Sequence, residues 1–203
     1  KFNWVNNPIT SMDDANDLVE AIIPHPQIDC IRLENCFGVN MNAYSILLSI
    51  LASNKQFSYI DLESNNIRTG GRTEIPDFLA TNPPLENLFL RNNHLDDNDA
   101  VMISRALKQN TNLRRLTLGE NDISDIGRDA LSKVIFDPPS LNTLSDSNHS
   151  CCIEGIGVDD INLLGICTKT RRARKIYSGL ACRNEEGTNV HHLDSEFDDD
   201  DSL

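Results

Sequence analysis

Four side chains in this sequence have the chemistry of recognition: Tyr59, Phe89, Arg91 and Arg115. Aromatic rings beside guanidinium groups dominate binding energy where protein surfaces meet. Phe89 and Arg91 are two residues apart, so on a strand they share one face. Arg32 and Asp61 add opposite charges at comparable places. The expectation is that Tyr59 and Phe89 anchor a protein ligand, with Arg32, Asp61, Arg91 and Arg115 around them. Bond-making chemistry finds no comparable constellation. There is no Gly-rich phosphate loop, no nucleophile elbow and no paired-carboxylate signature, so a non-catalytic chain without a cofactor is expected. His149, Cys151, Cys152, Cys167, Cys182, His191 and His192 lack Cys-x-x-Cys and His-x₃-His spacing, so no metal site is expected.

The residues are positioned by a pattern of fixed pitch. Leu85, Leu88, Leu90, Asn93 and Leu95 spell L-x-x-L-x-L-x-x-N-x-L. Leu113, Leu116, Leu118, Asn121 and Ile123 repeat it, as do Phe57, Ile60, Leu62, Asn65 and Ile67. Ile28, Ile31, Leu33 and Cys36 form an earlier copy, and Leu141 and Leu144 open a last one. The first positions are 28, 57, 85, 113 and 141, giving steps of 29, 28, 28 and 28. This is the leucine-rich-repeat template, a short strand followed by a turn. In each copy the x positions point away from the core, and Tyr59, Phe89, Arg91 and Arg115 are x positions. Asn65, Asn93 and Asn121 read as structural, their amides satisfying buried backbone groups and tying neighbouring repeats together.

Between the strands 28–33, 57–62, 85–90 and 113–118 the apolar spacing becomes helical. Helices are expected over about 12–23, 42–53, 74–81, 98–109 and 124–135. Ser11 suits the cap of the first, and Pro76 is tolerable in the first turn of the third. Strands on one side and wider helices on the other predict an α/β solenoid curved as a horseshoe, with a parallel sheet on the concave side and helices on the convex side. Right-handed crossovers join each strand to the next. Phe2, Trp4, Asn7 and Ile9 fit the second half of a template, so the chain reads as a piece of a longer array, cut inside a strand. Residues 1–150 form that array of about five repeats. Asp146 stands in an apolar slot of the last template and is expected to face outward or bond a neighbour. Residues 151–183 read as a C-terminal cap. Its helix, at about 168–182, should bury Ala173, Ile176, Tyr177 and Leu180 and wet Arg171, Arg172, Arg174 and Lys175. The basic cluster 169–175 also resembles a localisation signal, but as a charge run it reads as that helix's solvated face.

Net charge is -13, and residues 184–203 hold eight acidic residues with no Lys or Arg. That tail is expected to be disordered. The acidic balance argues against nucleic-acid binding. No apolar run has the length of a membrane span. Six cysteines without framework spacing suit a reducing interior, so a monomeric cytoplasmic protein is expected.

The pitch, the helical connectors and the template cores resemble the ribonuclease-inhibitor type of leucine-rich repeat over roughly residues 1–148. Leu141–His149, Arg174–Tyr177 and Glu186–Leu193 resemble the closing segment of the expanded leucine-rich-repeat proteins of diatoms. The first resemblance implies the horseshoe fold, and the second implies no activity. Ran GTPase-activating proteins share the repeat type and an acidic tail, so a regulator of an enzyme is the alternative to a binding module. No functional residue of that family matches a position here, and a fold does not by itself fix a function.

Overall fold

A computed structural model describes residues 1–53, 55–137, 139–156 and 168–185. The expected acidic tail beyond Glu185 lies outside these residues, as does most of the Gly-containing run that precedes the last helix. Six strands form one parallel sheet in chain order: β1 (Phe2–Asn3), β2 (Cys30–Arg32), β3 (Tyr59–Asp61), β4 (Asn87–Phe89), β5 (Arg115–Thr117) and β6 (Cys152–Glu154). Helices α1 (Met12–Ile22), α2 (Ala43–Ala52), α3 (Glu74–Ala80) and α4 (Asp97–Leu107) join the first five strands in turn, and α5 (Asp125–Ile135) follows β5. The short α6 (Leu141–Ser145) precedes β6, and α7 (Thr168–Glu185) follows it. Parallel strands need such crossovers, because a tight hairpin cannot return the chain in the same direction.

Local sequence explains where the helices begin. Ser11 Oγ accepts from the Asp14 amide at 3.1 Å and starts α1. Asp96 and Asp99 bond each other's amides at 3.1 and 3.0 Å, a reciprocal cap that starts α4. Each of β1 to β5 leaves through a left-handed residue: Asn6, Asn35, Ser64, Asn92 and Glu120 have φ of 56°, 52°, 59°, 53° and 56°. Asn tolerates that region better than most side chains.

One core runs the length of the sheet. Ile31, Ile60, Leu88, Leu116 and Ile153 point into it from five strands, and Val19, Ile46, Leu79, Ile103 and Leu131 meet them from the five helices. The asparagines bind the layers together. Asn65 Oδ1 accepts the amides of Cys36 and Phe37 at 2.8 and 3.0 Å. Asn93 Oδ1 accepts those of Asn65 and Ile67 at 3.1 and 2.9 Å, while its Nδ2 donates to Leu62 O and Leu90 O, both at 3.0 Å. Asn121 repeats the pattern toward Leu95 and Leu90. Each amide thus joins one repeat to the one before it.

The end of the array differs from the expectation in two ways. First, Leu141 and Leu144 do not open a strand; they lie in α6. Ser140 caps that helix by accepting from the Thr143 amide at 3.0 Å, and Thr143 Oγ1 accepts from the Ser140 amide at 3.2 Å. The strand comes later, at Cys152–Glu154, within the stretch expected to belong to the cap, and Arg115 pairs with Cys152 in register. Asp146 follows α6 and is exposed. Second, α7 buries two of the four cations expected to be wet and exposes part of the stripe expected to be buried. Arg171 and Lys175 are 7% and 3% exposed, whereas Tyr177 is 77% exposed. The surface under α7 offers carbonyl oxygens. Lys175 Nζ donates to Ile135 O at the end of α5 (2.6 Å) and to Asn148 O (2.8 Å), and Arg171 donates to Ser150 O. One turn further on, Gly179 lies against Leu144, whose Cδ1 sits 2.3 Å from where a Cβ would be. Arg171, Lys175 and Gly179 make one stripe at four-residue spacing, and the Lys175 ammonium suits the negative end of α5. Arg172 and Arg174 remain exposed.

Candidate functional site

The sheet has a second face, opposite the helical core. Side chains alternate along a strand, so residues flanking the buried Ile31, Ile60, Leu88 and Leu116 emerge there. Register sorts them into rows. One row runs Cys30, Tyr59, Asn87, Arg115 and Cys152; the next runs Arg32, Asp61, Phe89, Thr117 and Glu154. Glu63 and Arg91 lie two residues beyond the second row.

All six side chains expected at a partner site line one hollow of about 590 Å³ on this face: Arg32, Tyr59, Asp61, Phe89, Arg91 and Arg115. The Tyr59 and Phe89 rings are 4.9 Å apart between centroids and tilted by 30°. The Arg115 guanidinium lies over Phe89, 5.3 Å from its centroid. That arrangement follows from register, since Phe89 is diagonal to both Tyr59 and Arg115 on its two neighbouring strands.

The charged residues are less free than the sequence suggested. Arg115 is forked onto Glu154, Nε to Oε1 at 2.8 Å and Nη2 to Oε2 at 3.1 Å. Those bonds hold its pKa above the ordinary arginine value. Arg32 Nε donates to Asp61 Oδ2 at 2.9 Å, with Glu34 at 3.4 Å. Asp61 is only 2% exposed, and its other oxygen accepts from the Glu63 amide at 3.3 Å. Asp61 therefore orients Arg32 and offers little surface of its own. Arg91 pairs with Glu120 and stays exposed.

Three side chains in the hollow were not expected to matter there. Thr117 Oγ1 donates to Glu63 Oε1 at 2.7 Å and accepts from the Leu90 amide at 3.2 Å. Burial raises the Glu63 pKa above the usual carboxylate value. Glu63 and Thr117 are x positions and could have been found by asking which outward residues reach across a strand. Glu154 could not, because its strand stands where no template copy predicts one. Among the described residues no group of three His, Cys, Asp or Glu side chains could hold a metal ion, and no helix is long and apolar enough to cross a membrane.

No family model matches the chain. It is 29% identical over 153 residues to the human "NACHT, LRR and PYD domains-containing protein 14", covering 70% of this chain and 14% of that protein. It is 27% identical over 146 residues to the human "NACHT, LRR and PYD domains-containing protein 13", covering 69% of this chain and again 14% of the relative. The chain thus spans a small part of the length of either. Among solved structures it resembles "Leiomodin-1 Actin-Binding Site 2 (ABS2)", with a TM-score of 0.53 and 12% identity, over 89% of this chain and 96% of that one. The human relatives support a leucine-rich-repeat relationship, and the solved structure supports the fold alone.

Proposed function

We propose that this chain is a non-catalytic protein-interaction module that receives a protein partner on the sheet face opposite its helices. The observation that carries the reading is the Tyr59–Phe89 pair, two half-buried rings packed against each other in an open hollow and flanked by guanidiniums. Rings held at fixed positions by neighbouring strands lose little freedom on binding, which favours affinity. Two further considerations support it. The human relatives are named for their repeats, and the solved structure of similar fold is named for binding actin. We take the face to be the concave side of a ribonuclease-inhibitor-type array, on the pitch of the repeats. On its cysteine pattern we place the protein in the reducing cytoplasm.

The test is capture of proteins from a cell extract by the immobilised chain, by Phe89→Ala and by Lys108→Ala, which changes the helical side. A partner retained by the parent chain and by Lys108→Ala, and released at least about tenfold more readily by Phe89→Ala, is the expected result. Equal retention by all three chains would contradict the reading.

A further inference from the structure

The charges of the hollow do not cancel, and the residue is negative. Asp61, Glu63, Glu120 and Glu154 face Arg32, Arg91 and Arg115, four carboxylates against three guanidiniums. Three pairs account for six of these groups: Arg32 with Asp61, Arg91 with Glu120, and Arg115 with Glu154. Glu63 is left over. Among the described residues its carboxylate has no ion pair; it accepts a single hydroxyl bond from Thr117.

Its position follows from topology. Glu63 follows β3 and Thr117 belongs to β5, while β4 lies between them. To reach Thr117, the Glu63 side chain must cross β4. Phe89 occupies the same register row as Asp61 and Thr117, so the carboxylate, bonded to Thr117, ends beside a strand neighbour of Phe89. The hollow therefore holds in one lining a carboxylate without an ion pair and two aromatic rings, with Arg91 acting on the carboxylate only from beyond ion-pair distance. The same face already shows what such a seat holds, for Arg115 lies on Phe89 and forks onto Glu154. A carboxylate with an aromatic wall favours a cation whose stem is apolar, as in lysine and arginine.

We infer that the occupant of the hollow is a basic side chain, Lys or Arg, carried by a segment of a protein partner, with its head at Glu63 and its stem along Phe89 and Tyr59. The inference rests on the docking face proposed above and adds the chemistry of the partner. The net charge of -13 draws a basic segment toward the chain from a distance, while the seat selects its register. Burial raises the Glu63 pKa, and the Thr117 hydroxyl bond and Arg91 only partly offset it.

The test uses fluorescein-labelled peptides of alternating Lys and Ser, and of alternating Glu and Ser, with anisotropy measured on the full chain. A third peptide of alternating Tyr and Ser is uncharged. Glu63→Gln keeps an acceptor for Thr117 and removes the charge; Glu20→Gln, on the exposed surface of α1, controls for bulk charge. Thermal melts establish that each variant is folded. The Lys/Ser peptide should bind, weaken roughly tenfold with Glu63→Gln and with Phe89→Ala, and be unchanged with Glu20→Gln. Equal weakening by Glu20→Gln and Glu63→Gln, or no weakening by Glu63→Gln, would overturn the inference. Preference for the Tyr/Ser or Glu/Ser peptide, lost in Phe89→Ala, would overturn the basic occupant and leave the docking face standing. Binding of no peptide that depends on Phe89 would overturn the basic occupant and count against the face as well.

Discussion

The middle of the array and its closing end solve the same problem with different groups. In the middle, Asn65, Asn93 and Asn121 are neutral amides that satisfy both the turn and the strand end of the repeat before. At the end, Lys175 and Arg171 are buried cations that reach carbonyls of α5 and of the segment entering β6. Asn148 belongs to neither set. Its Nδ2 donates to Leu107 O and its Oδ1 accepts the amides of Ser150 and Cys151. Asn110 does the same one strand earlier, donating to Leu79 O and accepting from Asn112 and Leu113. Asn148 therefore marks the entry to a strand, whereas the ladder asparagines mark the exit. A neutral amide can be repeated at every layer. A buried cation needs an arrangement of carbonyls that arises once, where the array stops repeating.

The amide ladder should show the largest single-residue effect. Asn93→Ala leaves two buried amides without an acceptor and three carbonyls without their Asn93 donor, and should lower stability by about 3 kcal/mol in a urea melt. A loss below about 1 kcal/mol would mean the amide ladder is dispensable. At the end, Lys175→Met also removes the donor to two buried carbonyls, but it relieves a buried charge, so the loss near neutral pH should be smaller, about 1 kcal/mol.

That smaller effect should depend on pH with a definite sign. Burial, followed by the neighbouring Arg171, lowers the Lys175 pKa to about 8. An unfolded chain holds the lysine proton up to about 10.4. Between those values the unfolded state binds more protons than the folded one, so this lysine adds stability as pH rises. Burial raises the Cys151 thiol, and that works in the opposite direction over the alkaline range, because the unfolded thiol ionises first. The comparison must therefore be a difference. The parent chain should gain on Lys175→Met between about pH 8 and 10 in chemical melts. A constant difference would contradict the burial of that ammonium. The smallest effect is expected at a strand exit. Glu120 has φ of 56° where Asn35 and Asn92 have 52° and 53°. Glu120→Asn should stabilise by about 0.5 kcal/mol, measured by thermal melting, because Asn fits that conformation better.

The same contrast explains what the sequence could and could not convey. The repeat template located β2 to β5 and the ladder, because the signal for each lies within one pitch of chain. It also placed Tyr59, Phe89 and Arg115 on the free face, since alternation is a local rule. It missed β6, because Leu141 and Leu144 satisfy a strand template and a capped helix equally well, and Ser140 with Thr143 decides for the helix. It misplaced Arg171 and Lys175 on α7, because the carbonyls of Ile135, Asn148 and Ser150 converge only once the chain has folded. Glu63 was visible as an outward residue, but its reach across β4 to Thr117 is a fact of register.

The proposed docking face is tested most directly by light-induced crosslinking in a cell extract. One chain carries Phe89→benzoylphenylalanine on the sheet face. Another carries Ile126→benzoylphenylalanine on α5, where the native side chain is 70% exposed. The account predicts a discrete protein adduct from position 89 that is absent from position 126. The same adducts from both positions, or an adduct from position 126 alone, would contradict it.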